Sequence, residues 1–146
     1  MAQYARAMAL RLAHAPENLL SLCPVCHREV ERARGARTAL SGLGYLLRNL
    51  APVFLMCDPG DLGTAVEARD SETGQPVIIL YDEVPGGVGL TPRLVDLWPR
   101  LAQAALERVS GCPCAEGCPS CVGPTGESEP GAKRAATRLL HLVVGS

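Results

Sequence analysis

The sequence predicts an α+β fold: a small antiparallel sheet packed by helices, with a cysteine-rich loop between the last two helices. Three observations support this prediction. Apolar residues recur at helical spacing from residue 38, two β-rich segments flank a polar loop that contains glycine, and four cysteines fall between residues 112 and 121. A chain of 146 residues that is 47% apolar is sized and composed for one folded domain with a small appendage.

Residues 1–35 are predicted to form an N-terminal segment that ends near Gly35. Within it, residues 3–13 are rich in alanine and predict a short helix. The segment lacks the continuous apolar core of a signal peptide, and the longest apolar run of the sequence, APVFLMC, is too short to cross a bilayer. We therefore expect a cytoplasmic protein that contacts no membrane. In that compartment clustered cysteines bind metals more often than they form disulfides.

The main domain is predicted to span residues 36–146 and to begin with a helix whose apolar residues recur at i, i+3, i+4 and i+7. These residues are Ala39, Leu40, Leu43, Leu46, Leu47 and Leu50. Pro52 is expected to end or kink the helix, because its ring clashes with the preceding turn. The apolar VFLMC at 53–57 fits either a buried strand or a buried helical turn, and DPGD at 58–61 predicts a turn.

A hairpin is predicted next, because the segments TAVEAR and PVIILYDE flank the polar loop DSETGQ. In the second segment, residues 77–80 form an unbroken apolar run, which is typical of a central strand covered on both faces. The glycines of VPGGVGLTPRL then predict a tight turn that lets a helix pack on this strand. Such a turn can bind an anion, but Asp82 and Glu83 would repel phosphate, so the tight turn is favoured.

Two helices are predicted to complete the domain. Thr91 is the predicted N-cap of the first, with Pro92 at its first position. Pro99 is expected to divide this region into the segments 92–98 and 99–109. The last helix lies within ESEPGAKRAATRLLHLVVGS. The predicted inward positions of the two helices are Leu101, Ala105, Val109, Leu139, Leu140 and Val143.

The loop between these two helices carries the sequence GCPCAEGCPSC, with cysteines spaced C-x-C-x3-C-x2-C. They are Cys112, Cys114, Cys118 and Cys121. Four thiolates are the full ligand set of a closed structural zinc site, and the prolines, Gly111 and Gly117 shape a backbone on which sulfurs and N–H groups converge. We expect a structural metal. Soft sulfur ligands suit zinc and iron–sulfur clusters, and zinc is favoured; the alternative is a loop of reduced or disulfide-paired cysteines.

Three blocks occur in order within residues 36–146: LAPVFLMCDPGDLG, IILYDEVPGGVGL and GCPCAEGCPSCVGP. Together they resemble the C-terminal zinc-binding domain of mitomycin-repair-type (MrfA-like) superfamily 2 DEAD/DEAH-box DNA helicases. The resemblance implies Zn²⁺ bound by the four cysteines, with a helicase motor and DNA as partners in repair. The chain has no G-x-x-x-x-G-K-[ST] phosphate loop, so the resemblance does not extend to ATP hydrolysis.

A second motif lies in residues 14–31, where ENLLSLCPVCH resembles the second half of an HNH-endonuclease motif, N-L-x-x-L-C-x-x-C-H. The matching residues are Asn18, Cys23, Cys26 and His27. In that motif the cysteine pair helps hold a zinc and the final histidine binds the catalytic metal. Only His14 precedes the motif, so its upstream half is missing and an active nuclease is not expected. A second metal site at these residues, completed by a histidine or another chain, and plain thiols remain alternatives.

Four further residues are weaker candidates. Asp58 and Asp82 each follow an apolar run and either converge as a metal-binding carboxylate pair or cap turns, and capping is favoured. Cys57 follows VFLM and is predicted to be a small buried hydrophobe. His141 lies beside leucines of the last helix and is predicted to be packed or solvated.

The charge balance excludes strong autonomous binding to nucleic acid, because 14 basic residues stand against 15 acidic ones. A local basic rim is predicted from Arg93, Arg100, Arg108, Lys133, Arg134 and Arg138. We therefore expect a non-catalytic structural zinc module of a DNA-repair helicase system, which acts with a helicase motor and binds DNA only weakly by itself. The alternatives are a metal-dependent HNH-like endonuclease and a plain protein-interaction domain.

Overall fold

The computed structural model describes residues 8–11, 36–67, 71, 76–124 and 130–145. The elements in chain order are β1 (Met8–Arg11), α1 (Ala36–Leu55), a 3₁₀ turn (Pro59–Asp61), β2 (Leu62–Glu67), β3 (Val77–Asp82), α2 (Leu90–Gly111) and α3 (Ala132–Val144). Helix α1 contacts β2, β3 and both other helices, and the cysteine loop joins α2 to α3. The predicted α+β class and the position of the cysteine loop are confirmed.

The strands form one antiparallel sheet in the order β1-β3-β2. The predicted hairpin is confirmed, with Leu62 of β2 opposite Asp82 of β3. Strand β3 is central, as its apolar run predicts: Val77 and Ile78 are 1% exposed and Leu80 is fully buried. The carboxyl end of this strand leads directly into the turn that precedes α2.

The prediction of a helix over residues 3–13 is wrong for the part that the structure describes. Residues Met8–Arg11 form β1, which pairs with β3 so that Met8 lies opposite Leu80. Pairing satisfies the N–H and C=O groups along the edge of β3, and this tertiary gain outweighs the helix propensity of alanine. The division of the chain at residue 35 stays a prediction.

Helix α1 passes through Pro52 and ends at Leu55, so Pro52 does not end it. Leu55 is 2% exposed, and its burial contributes roughly 1.5–3 kcal/mol, which offsets the hydrogen bond lost at proline. The helix stops where Met56 adopts a left-handed conformation with φ 55°. Val53 and Met56 are 72% and 87% exposed, so the predicted buried segment at 53–57 is a partly exposed final helical turn.

Helix α2 is continuous from Leu90, and its predicted division at Pro99 is wrong. Pro99 lies on the exposed side of the helix. The carbonyl that loses its N–H partner at proline can therefore be hydrogen-bonded by water. The buried face runs unbroken past it through Leu94, Trp98, Leu101, Ala105 and Val109. The predicted N-cap is also wrong: Gly89 occupies that position with φ 80°, and Thr91 is the second helical residue.

Helix α3 packs on α1 and α2. Its predicted inward face is confirmed at Leu139 and Leu140, which are buried, and Val143 is half-buried. No helix among the described residues has the length and apolar character needed to cross a membrane.

Two glycines let α1 approach its neighbours closely. A Cβ at Gly44 would lie 3.0 Å from Val66 Cγ2, so the backbone of α1 packs directly on side chains of β2 there. A Cβ at Gly42 would lie 3.1 Å from Val122 Cβ, directly after the last cysteine of the loop. Helix α1 therefore connects the sheet to the cysteine loop.

Candidate metal centre

All three helices fix the position of the cysteine loop. Cys112 is the C-cap of α2 and adopts an extended conformation, so the loop leaves the helix at its first cysteine. Val122 is 1% exposed against α1, and the Tyr45 hydroxyl of α1 donates a hydrogen bond to the Pro119 carbonyl at 3.0 Å. These contacts hold the loop where the three helices meet.

The structure brings the four cysteine sulfurs together. The Sγ atoms lie 3.5 Å apart in three pairs: Cys112 with Cys114, Cys112 with Cys118, and Cys114 with Cys121. The Sγ atoms of Cys118 and Cys121 lie 3.7 Å apart. All four sulfur atoms lie within 4.8 Å of one another. Around a metal with Zn–S bonds of about 2.3 Å, neighbouring sulfurs of a tetrahedron lie roughly 3.8 Å apart. A disulfide is far shorter, at about 2.05 Å, so the cluster has the spacing of a metal site.

Burial gives the centre its electrostatic character. Cys121 is 1% exposed and burial raises the pKa of its thiol to about 12, whereas the other three cysteines are half-buried. A thiolate at this position needs a compensating cation, which a divalent metal supplies when it displaces the proton. The Cys118 backbone N–H also donates to Cys121 Sγ at 3.3 Å. The cluster therefore combines soft donors with the backbone support that zinc–thiolate sites use.

Gly117 and Gly111, both predicted to shape the loop, differ in the structure. Gly117 has φ 140°, and a Cβ there would lie 2.8 Å from Val122 Cγ2, so only glycine fits. Gly111 is the last residue of α2, and a Cβ there would meet nothing within 4 Å. Of these two glycines, only Gly117 is required by its backbone conformation and its close contact.

Helix α3 is tied to the loop by two side chains that sequence reasoning did not assign to the site. The Lys133 ammonium donates to the Cys112 carbonyl at 2.7 Å and to the Cys114 carbonyl. The Glu116 carboxylate accepts a hydrogen bond from the Gly131 N–H, at the N-cap of α3, at 2.9 Å. Lys133 thus places a positive charge next to four cysteines that become negative thiolates when they bind a metal. These contacts join residues that are far apart in the sequence, so a local sequence pattern does not predict them.

Asp82 caps α2 instead of binding a metal. Its Oδ2 accepts hydrogen bonds from the N–H groups of Val88, Gly89 and Leu90 at 3.1, 3.1 and 3.2 Å, and Oδ1 accepts from Thr91 N–H at 3.0 Å. The carboxylate satisfies the donors that a helix start leaves unpaired. Because these N–H groups already donate to Asp82, they are not available to bind a phosphate. The structure therefore contains the predicted tight turn and not a phosphate site.

The remaining weaker candidates lie outside the cysteine cluster. Asp58 is the N-cap of the 3₁₀ turn, and its N–H donates to Asp61 Oδ2 at 3.0 Å. Cys57 is half-buried; burial, followed by the negative charge of Asp61, raises the pKa of its thiol. His141 is exposed. Within the described part of the chain, the four loop cysteines are the one group of three or more potential ligands with metal-binding spacing.

The N-terminal motif lies outside the described residues. The candidates there are His14, Asn18, Cys23, Cys26 and His27. A second metal site at these positions stays a prediction.

Comparison with known proteins supports the metal assignment. The family model of the MrfA Zn-binding domain matches residues 43–122, which include all four loop cysteines. The uncharacterized ATP-dependent helicase YprA of Bacillus subtilis (strain 168) is 36% identical over 104 residues, covering 71% of this chain and 13% of the helicase. This chain therefore spans about an eighth of that relative's length.

Two further similarities agree with this family. An uncharacterized protein of Methanocaldococcus jannaschii is 32% identical over 79 residues, covering 52% of this chain and 70% of that protein. A crystal structure of the helicase MrfA bound to DNA superposes with a TM-score of 0.70 at 31% identity, covering 93% of this chain and 16% of that one. These matches and the cysteine cluster show that the chain belongs to the MrfA Zn-binding domain family of MrfA-like helicases, with zinc as its cofactor.

Proposed function

We propose that the chain is a non-catalytic zinc module of a DNA-repair helicase system. One zinc ion, held by Cys112, Cys114, Cys118 and Cys121, would fix a surface that docks on a helicase motor or guides DNA. The observation that carries this proposal is the closed set of four sulfurs at the junction of three helices. Four protein ligands complete a tetrahedral site and leave no position for a reacting water, which is the pattern of structural zinc.

The role of the metal follows from where the loop lies. Residues 112–118 form neither helix nor strand, and the loop must hold the end of α2 and the start of α3 in place. Because the ligand set does not exist in an unfolded chain, the free energy of metal binding becomes free energy of folding. The zinc ion would supply this stabilisation, while Lys133 and Tyr45 orient the loop through its carbonyl oxygens.

The partners are proposed from the relatives. YprA is named an ATP-dependent helicase, and the MrfA structure contains DNA. Since this chain spans about an eighth of YprA, the motor would be a separate part of the same polypeptide or another polypeptide. We propose a cytoplasmic location, where reduced thiols remain available to zinc.

A complementation assay tests this function. Zinc-loaded chain is mixed with an MrfA-like helicase from which the zinc-binding domain has been deleted, and ATP-dependent strand separation is measured. We expect the chain to restore activity, Cys114→Ser to fail, and Cys57→Ser to behave like the parent because Cys57 lies outside the cluster. Equal activity with Cys114→Ser and the parent, or no restoration by zinc-loaded chain, would overturn the proposal.

A further inference from the structure

A basic groove lies beside the cysteine loop, between the end of α2 and α3. Its volume is about 620 Å³. Its polar lining consists of Ser110, Lys133, Arg134, Thr137, Arg138 and His141. None of the described residues that line it is acidic, although the whole chain has a net charge of −1. Basic side chains are therefore concentrated in this groove, and the net charge of the whole chain does not reveal that concentration.

Three of these side chains follow one side of α3. Arg134, Arg138 and His141 stand at i, i+4 and i+7, which places them on the same helix face. At a rise of 1.5 Å per residue, Arg134 and Arg138 are about 6 Å apart along the helix axis. The two guanidinium groups at this spacing suit successive phosphates of a strand better than they suit one small anion.

The metal loop borders the groove at Ala115. Ala115 lines it, and the Lys133 ammonium is held at its rim by the carbonyls of Cys112 and Cys114. The position of Lys133 therefore depends on the loop conformation that the cysteines set. A structural metal thus organises a charged surface as well as stabilising the fold.

Two arginines of α2 that belong to the predicted basic rim lie in different surroundings. The Arg100 guanidinium lies over the Phe54 ring, 5.9 Å from its centroid. Arg108 lines a different cavity, which it shares with the acidic Glu107. Among the described residues, Lys133, Arg134 and Arg138 of the predicted basic rim line a groove that has no acidic lining residue.

We propose that this groove binds the phosphodiester backbone of single-stranded DNA. The choice of nucleic acid as the polyanion rests on the proposed function, and the groove adds where and how it binds. Arginine forks match phosphate oxygens in pairs, and the Ser110 and Thr137 side chains also face the same groove. None of the described lining residues is aromatic, so bases have no stacking platform. Recognition is therefore independent of sequence.

Fluorescence anisotropy of labelled oligothymidine with the full zinc-loaded chain tests this site. The double variant Arg134→Gln/Arg138→Gln should weaken binding about tenfold at low salt. It should also reduce the slope of log K against log salt by about 1.4, or 0.7 for each lost phosphate contact. Arg134→Gln alone should give about half of that change in slope.

The matched control is Arg48→Gln/Arg93→Gln, which removes the same charge from two exposed arginines outside the groove. It should change affinity less than about twofold. An equal loss in both double variants would mean that net charge alone governs binding, and no loss in either would place the DNA elsewhere; both results overturn the proposal. Neither result touches the proposed function, because that depends on zinc-dependent support of a motor.

Discussion

At the scale of single residues, Cys118 contacts two other cysteines of the metal centre. Its sulfur lies 3.5 Å from Cys112 Sγ and 3.7 Å from Cys121 Sγ, and its carbonyl accepts hydrogen bonds from the N–H groups of Cys121 and Gly123. Replacing Cys118 with serine leaves three thiolates and a poor fourth ligand. We expect Cys118→Ser to lose bound zinc and to lower the free energy of unfolding by about 3–4 kcal/mol, measured by elemental analysis and thermal melting.

Ser120→Ala is the control for this change, because Ser120 is exposed in the same loop and is not part of the cluster. It should keep one zinc per chain and the parent melting temperature. A Cys118→Ser variant that melts like the parent, or natively purified parent protein without metal, would contradict the four-cysteine assignment.

Gly117 provides a second test at this scale, one that leaves every sulfur in place. An alanine there must adopt φ 140° and bring its Cβ to 2.8 Å from Val122 Cγ2. We expect Gly117→Ala to destabilise the protein by about 1–3 kcal/mol, measured by chemical denaturation of the zinc-loaded form.

Gly111→Ala is the matched control for Gly117→Ala, because it adds the same methyl group in helical backbone with nothing within 4 Å. It should be neutral or stabilising by up to about 1 kcal/mol. Equal destabilisation by both substitutions would show that the loop is sensitive to any added side chain and not to the backbone conformation of Gly117.

At the scale of elements, α2 depends on a residue of β3 for its start. The Asp82 carboxylate accepts hydrogen bonds from the backbone N–H groups of residues 88–91. Asp82→Ala would leave these donors to water and is expected to lower the free energy of unfolding by about 2 kcal/mol, measured by urea denaturation. Asp96→Ala removes an exposed acid from the same helix and should change stability by less than about 0.5 kcal/mol. If the two variants were equally stable, Asp82 would not be a significant cap.

The same element shows what the sequence could and could not predict. The hairpin, the inward faces of the helices and the cysteine spacing are local patterns, and each appears in the structure as predicted. The cap of α2 comes from Asp82, nine positions before Thr91, and helix α2 continues past Pro99 because its buried face extends on both sides. Both outcomes depend on contacts between elements that are distant in the sequence. A local sequence pattern does not reveal such contacts.

At the scale of the whole molecule, α1 is the element around which the others assemble. It contacts the sheet and both helices, and its Gly42 and Gly44 allow close approach on two sides. The apolar spacing of α1 predicted its buried face. The spacing gave no indication that Lys133 and Glu116 would join α3 to the metal loop, because those partners are far apart in sequence.

The accessory role proposed for the molecule predicts that the chain does not cleave DNA. Within residues 1–17 the one histidine is His14, and its position four residues before Asn18 does not match the upstream histidine base of the HNH motif. We expect supercoiled plasmid to stay intact with Mg²⁺, Mn²⁺ or Zn²⁺, as followed on agarose gels. Nicking that disappears in His27→Ala would instead support the endonuclease alternative.

The spacing of the cysteine sulfurs also decides what happens if the metal is lost in air. Cys114 Sγ and Cys121 Sγ lie 3.5 Å apart, and a disulfide forms at about 2.05 Å, so a small movement joins them. The two thiols give up two electrons and two protons to dissolved oxygen, which becomes peroxide. Two of the four sulfurs are then unavailable, and the oxidised chain cannot rebind zinc until a reductant restores its thiols. Bound metal thus protects the loop from forming a disulfide that would prevent it from binding zinc again.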